Sequence, residues 1–315
     1  MSNKPLVSVI IIFLNAERFI REAIESVFKQ TYDNWELFFV DDGSTDASKE
    51  IVLKYTKQYS KSIYYLEHDG HENRGMSASR NLGIRNSNGE YITFLDADDV
   101  WLPHKLEQAV NVLEVTPEAA LVYGPGLIWF GWTGKPEDAS RDYIEPLPIE
   151  PNTLIEPPEL LSIFLRNGNA PSSPIIRREV IESVGGFEDS FRDMYEDQVF
   201  YAKVCLKVPV YVVAECWNKY RKHASSCTYV AAKAGKNFSA RLTFLKWLED
   251  YLLRNGEKGS EVWKILQNEL WRYRHPRLVR QKKRLRSLKR KINNFIDSLF
   301  LKTFVVIFLN FVFFA

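Results

Sequence analysis

Residues Leu6–Leu14 read LVSVIIIFL, a nine-residue run that is apolar but for one serine. It is far shorter than the roughly 20 residues of a membrane crossing and rich in Val and Ile, as a strand buried on both faces is. Helical spacing follows in Phe19, Ile20, Ala23, Ile24, Val27 and Phe28, and a second strand at Trp35–Val40 runs into the polar turn Asp41-Asp42-Gly43-Ser44. A helix capped by Ser44 or Asp46, a strand at Ile63–Leu66, a helix over Ser77–Asn86 and a strand at Tyr91–Leu95 continue the series. This alternation places the chain in the α/β class, as a Rossmann-like, mainly parallel sheet flanked by helices. Ligands of such sheets sit outside the carboxyl ends of the strands. Two acidic clusters fall there, one after Val40 and one after Leu95.

Beyond Pro103 the pattern predicts a helix to about Thr116 and a strand at Ala119–Tyr123. The stretch Gly124–Pro158, rich in Gly, Pro, Trp and charge, reads as a long substrate-side loop. Apolar periodicity returns at Leu160–Leu165. Helices are expected at Arg178–Val184, ended by Gly185-Gly186, and at Asp197–Leu206, with a late strand at Val208–Ala214.

Charge divides the chain unevenly. The 315 residues carry a formal net charge of +2, but Arg272–Lys291 holds 11 basic and no acidic residues. The rest keeps 31 basic against 40 acidic residues, a net −9. An acidic body suits cations and a basic segment suits anions. From Leu278 a heptad of Leu278, Leu285, Ile292 and Leu299 sits among Lys and Arg, then gives way to the apolar Phe300–Ala315. This reads as a basic amphipathic helix leading to in-plane membrane insertion, with a short span or an intersubunit helix as alternatives. Each basic residue near an anionic leaflet adds about 1 kcal/mol, and the Phe-rich neighbour favours a membrane surface over nucleic acid. Cys205, Cys216 and Cys227 form no CxxC pair, so neither a disulfide framework nor a zinc cluster is expected. The N-terminus MSNKPLVSVIII lacks the pattern of a signal peptide, which places the body in the cytoplasm, peripherally attached to the membrane.

Three carboxylates within Asp96-Ala97-Asp98-Asp99 repel one another unless a cation compensates. Mg²⁺ or Mn²⁺ commonly shares one or two carboxylates with substrate phosphates. A calcium EF-hand is disfavoured, because Val100 and Trp101 stand where that loop needs an oxygen ligand and a glycine. Taken alone, DADD reads equally well as a solvated turn, and Asp41-Asp42-Gly43-Ser44 as an Asp-Gly turn.

Taken together the segments resemble family 2 glycosyltransferases. The likeness lies in Val7-Ser8-Val9-Ile10, Asn15, Gln30-Thr31, Val40–Asp46, Asn73-Arg74-Gly75, Ala78-Ser79-Arg80-Asn81, Gly89–Ile92 and Phe94–Asp99, in that order, and spans roughly residues 5–225. The resemblance implies a GT-A fold, a nucleotide-sugar donor, commonly a UDP-sugar, and inversion at the anomeric carbon. It implies that Asp42 binds the nucleotide base and that Asp96 contacts the ribose or supports the metal. Asp98 would be the direct ligand of Mn²⁺ or Mg²⁺, and Asp99 would orient donor or acceptor. Arg80 would meet donor phosphate or an acidic side chain. Gly185–Glu188 and Tyr195–Gln198 resemble the acceptor-side segment, which makes Asp197 the general base. Tyr220–His223 resembles a late segment in which His223 approaches the diphosphate or metal. Domains follow accordingly: a catalytic domain at 1–228, divided at 123/124 into donor and acceptor halves, a helical segment at 229–275 and a membrane-associating tail at 276–315. The implied activity moves a sugar to a hydroxyl of a saccharide or lipid-linked saccharide. A polyprenyl-phosphate sugar synthase or a silent nucleotide-binding scaffold of the same fold are the alternatives.

Overall fold

Strand β1 (Val7–Phe13) is buried along its whole length and sits at the centre of the sheet. The computed structural model describes residues 4–59, 61–167, 170–192, 194–281, 284–285 and 288. α1 (Ile20–Phe28) turns Ile20, Ala23, Ile24 and Val27 inward, the stripe its apolar spacing dictates. β2 (Trp35–Asp41) returns parallel to β1, pairing Val9 with Leu37 and Ile11 with Phe39. α2 (Ser48–Gln58) starts where the sequence signals it: Asp46 Oδ1 accepts the Ser48 backbone N–H at 3.0 Å. Ser44 is used differently, its hydroxyl accepting the Asn15 N–H at 3.1 Å. β3 (Ile63–Glu67), α3 (Met76–Asn86) and β4 (Tyr91–Asp96) complete the first half, with β4 parallel to β1 on the side opposite β2.

The chain thus builds outward from β1 in one direction and then in the other. The crevice beyond the carboxyl ends of β1 and β4 is the switch point where α/β sheets bind ligands. A buried polar knot fixes the register at the opposite end. Ser8 Oγ donates to Glu36 at 2.7 Å, and the Gly89 N–H donates to both Ser8 and Glu36.

Past β4 the sheet is mixed. β5 (Val100–Trp101), α4 (Lys105–Val115), β6 (Leu121–Tyr123), β7 (Gly126–Trp129), α5 (Pro136–Ala139), β8 (Tyr143–Ile144) and β9 (Thr153–Ile155) follow in order. Then come α6 (Glu159–Asn167), β10 (Ile175–Arg177), α7 (Arg178–Ser183), α8 (Glu196–Cys205), β11 (Val210–Val212) and β12 (Asn218–Arg221). The large sheet runs β3-β2-β1-β4-β10-β6-β11-β9, and a small one runs β5-β12-β7-β8. β10 lies antiparallel between β4 and β6, so the parallel order of the first half does not continue.

Two features depart from the sequence reading. Residues 124–158 are not one loop: they hold the one-turn helix α5 and the strands β7, β8 and β9, whose two to four residues are too short for a period of two to register. β10 was not anticipated, because its three residues stand directly before α7 and carry no turn signal of their own.

α9 (Cys227–Lys233), α10 (Asn237–Arg254) and α11 (Glu261–Arg274) follow. Met1–Leu266 form one compact unit and Gln267–Ala315 a second. In the second, Leu278, Leu285 and Leu288 are exposed apolar side chains. Most of the amphipathic and apolar tail expected at 276–315 lies outside the described residues. Among those described, no helix is long and apolar enough to cross a membrane.

Candidate active site

The carboxyl ends of β2 and β4, parallel strands on either side of β1, deliver their acidic residues to one end of the sheet. Asp96 ends β4, Asp98 and Asp99 follow in the turn to β5, and the small sheet lays Arg221 of β12 over that turn. The Arg221 N–H donates to Asp99 Oδ1 at 2.9 Å. Its guanidinium donates to the Asp98 carbonyl at 2.6 Å and to Glu22 on α1 at 2.6 Å. Arg221 therefore grips the turn at two points and ties it to α1.

A cavity of about 350 Å³ opens beside it, walled by Asp96, Asp99, Arg80, Glu196 and Asp197 among others. Asp197 and the DADD segment, 98 or more residues apart in sequence, border the same space. Arg80 on α3 is the strut between them, reaching Asp96 Oδ1 at 3.0 Å and Glu196 Oε1 at 2.8 Å. Of its two expected partners, donor phosphate or an acidic side chain, the described contacts are acidic. Phe94 and Phe187 present their rings to its guanidinium at 6.0 and 5.4 Å.

Asp98 turns from the cavity wall to His223, with Oδ2 and Nε2 2.8 Å apart. The side chain of His223 is 6% exposed, packed against Phe19 at a ring-centroid distance of 4.6 Å. The expected trio Asp96, Asp98 and His223 therefore resolves into a pair, Asp98–His223, and a neighbour held by Arg80. Among the described residues, a group of three ligand atoms within 4.8 Å of one another occurs at Asp41, Glu67 and His71. Positive charge is already present there: Lys49 pairs with Glu67 at 2.7 Å and holds its carboxyl down at about 2.

Asp42, the residue after β2, holds the turn that leads into α3. Its Oδ1 accepts the Arg74 and Gly75 N–H groups at 2.7 and 3.0 Å and the Ser79 hydroxyl at 3.1 Å. Oδ2 accepts the Gly75 N–H alone, which leaves it capacity for a further donor.

Titration follows from this crowding. Burial, then Asp98 and Asp96, raise the Asp99 carboxyl well above the usual range against the pull of Arg221. Desolvation by the cleft walls raises Asp96, opposed by Arg80 and reinforced by Asp98. Glu196 is pushed up to about 7 by burial and by Asp197, with Arg80 opposing. Burial raises Asp197 too, and Arg80 opposes that rise. Mutual repulsion among three carboxylates marks a site short of positive charge, and an oxygen–imidazole pair beside it suits a divalent cation that also takes phosphate oxygens.

Residues 8–153 match the family model described as Glycosyl transferase family 2. Over that stretch the chain is similar to family 2 glycosyltransferases. It is 29% identical over 260 residues to an uncharacterized glycosyltransferase of Nostoc sp. (strain PCC 7120), covering 79% of this chain and 76% of that one. It is 39% identical over 111 residues to the putative teichuronic acid biosynthesis glycosyltransferase TuaG of Bacillus subtilis (strain 168), covering 35% of this chain and 42% of TuaG. Against TuaG the match thus spans under half of the relative's length. Solved structures share the fold: S. aureus TarS 1-349 in complex with UDP-GlcNAc has a TM-score of 0.57 at 17% identity, covering 85% of this chain and 81% of that one. The mannosyltransferase PcManGT from Pyrobaculum calidifontis, in complex with GDP-Man and Mn2+, has a TM-score of 0.56 at 18% identity, covering 86% of this chain and 70% of that one. The fold is GT-A, as the sequence resemblance implied.

Several groups at the site gave no signal of their own in the sequence. Ser172, Ser173 and Asn218 line the cavity, and Lys105 lies fully buried behind Ser173. Lys105 donates to the Ser173 carbonyl and sits over the rings of Trp101 and Trp217 at 4.6 and 5.7 Å. A lysine at the start of a helix reads as solvated, and nothing in the sequence around it signals burial.

Proposed function

We propose that the chain is an inverting, metal-assisted glycosyltransferase that moves a sugar from a UDP-sugar to a hydroxyl of a saccharide or lipid-linked saccharide in polysaccharide assembly. The observation that carries this is the single cavity bordered by Asp96 and Asp99 on one side and Asp197 on the other. Support for the donor comes from the nucleotide sugars in the TarS and PcManGT complexes, and for the pathway from the name of TuaG.

Asp42 stands at the nucleoside end, where Oδ2 has room for a base N–H. Asp98 and His223 hold Mn²⁺ or Mg²⁺, with Asp96 in support and Asp99 orienting the sugar. The cation, when bound, stabilises the charge that develops on the leaving diphosphate. Arg80 bridges Asp96 and Glu196 and opposes the rise of both carboxyls. Glu196 is committed to Arg80, whereas among the described residues Asp197 forms no salt bridge. Asp197 is therefore the group to take the proton of the acceptor hydroxyl. As that oxygen bonds the anomeric carbon, the bond to the diphosphate breaks on the opposite face, which inverts the configuration. The productive contact from Asp197 to the hydroxyl oxygen is about 2.6–3.2 Å. The exposed leucines at 278, 285 and 288 support a membrane-surface role for 276–315, which would bring the site to a lipid-linked acceptor on the cytoplasmic face.

A panel of nucleotide sugars, with Mn²⁺ or Mg²⁺ and extracted lipid acceptors, tests the reading by mass spectrometry. A glycosylated acceptor formed only with metal supports it. Turnover unaffected by both chelator and Asp98→Ala would remove the metal assignment.

A further inference from the structure

The general base assigned above lies in the first turn of α8, and the residue before that helix is in a conformation that side chains avoid. Tyr195 has φ 71° and ψ 8°, the left-handed region, while its carbonyl accepts the Val199 N–H at 2.9 Å to begin the helix. A non-glycine residue held there is strained and persists only where its surroundings enforce it. The enforcing groups come from α10. The Phe244 ring stacks on Tyr195 with centroids 5.6 Å apart and planes 14° from parallel. Arg241, 6% exposed, sits over both rings at 5.6 and 5.1 Å.

Arg241 also uses both arms of its fork. One Nη donates to Gln198 Oε1 at 2.8 Å, on the residue next to Asp197, and the other donates to the Leu165 carbonyl of α6 at 3.1 Å. A planar guanidinium engaged at two fixed acceptors and two ring faces defines an orientation that a lysine reproduces only in part, keeping the charge but not the fork. Asp197, meanwhile, accepts the Gln198 N–H at 2.7 Å, so the two residues share one local geometry.

We propose that Arg241 is a positioning residue for the transfer reaction, clamping Tyr195 and Gln198 around Asp197 so that its carboxylate faces the acceptor hydroxyl. The inference rests on the assignment of Asp197 as base. It places a residue needed for catalysis in α10, beyond the family match that ends at residue 153 and beyond the resemblance that ends near 225. The catalytic unit consequently extends to at least Arg254, further than a boundary at 228.

Steady-state kinetics on the full chain test this, with Arg241→Met, Arg241→Lys, Asp197→Asn and the double variant Arg241→Met/Asp197→Asn, beside UDP binding by calorimetry with Mn²⁺. Arg241→Met is expected to lower kcat by about 10–100-fold, the scale of a misplaced catalytic group, with donor KM and UDP affinity within about twofold. Arg241→Lys should recover part of that loss, and the double variant should fall no lower than Asp197→Asn. Wild-type kcat in Arg241→Met, a parallel loss of UDP affinity, or additive losses in the double variant overturns the proposal. If Arg241→Met does not fold, Gln198→Ala decides by the same readouts, since it removes one arm of the clamp. Activity surviving Asp197→Asn would instead remove the base assignment itself, a separate outcome.

Discussion

At the scale of single residues, the site depends on charges kept out of water. Among the described residues Asp197 is the carboxylate of the Glu196-Asp197 pair that forms no salt bridge, so Asp197→Asn should lower kcat by about 10²–10⁴-fold, the usual worth of a general base, while leaving UDP affinity unchanged in a calorimetric titration. Because burial raises the Asp197 carboxyl, the acid limb of the kcat/KM profile should lie above the ordinary carboxylate range, activity being lost as pH falls through it. Lys105 gives the opposite kind of signal. Burial pulls its ammonium down to about 7 from an unfolded value near 10.5. The unfolded chain therefore binds more protons between those limits, and stability rises with pH across that window by up to about 1.4 kcal/mol per unit. The melting temperature of the wild type relative to Lys105→Met should climb from pH 7 to 9, and a flat difference would mean that Lys105 does not change charge there.

Among the elements, the tight places are those where backbone meets backbone at the site. Gly75 has φ 88°, and a Cβ there would stand 2.8–3.0 Å from Arg192 backbone and Cβ atoms. Gly75→Ala should then cost about 1–3 kcal/mol and loosen α3 from Asp42, read as a lowered melting temperature and weaker UDP binding together. The elements themselves were unevenly legible. β1, α1, β2, β4 and α4 announced themselves because long buried runs and full helical stripes leave a strong period. β5, β8 and β10 did not: pairs or triplets of residues owe their strand conformation to neighbours supplied by the rest of the fold. Likewise, DADD and the Glu196-Asp197 pair were visible as charge clusters, and the family resemblance joined them. The Arg80 strut was only half visible, since phosphate and carboxylate are equal partners for a guanidinium on paper. Arg241 was invisible, because nothing in a run of helix formers marks which arginine is buried.

Over the whole molecule, charge separates the working parts. The net −9 of the rest of the chain suits a cation-bound donor, and the 11 basic residues of 272–291 suit an anionic surface. Truncation after His275 should leave donor turnover on a soluble acceptor within about twofold yet abolish co-sedimentation with anionic vesicles. Unchanged sedimentation would separate the tail from membrane attachment. Everything in the catalytic account turns on distant carboxylates meeting one bound donor. The most direct measurement is a crystal structure with Mn²⁺ and a non-transferable UDP-sugar, using anomalous scattering to place the ion. The account predicts the peak between Asp98 and His223, with the anomeric carbon facing Asp197. A peak at Asp41, Glu67 and His71 instead, or a sugar turned away from Asp197, would contradict it.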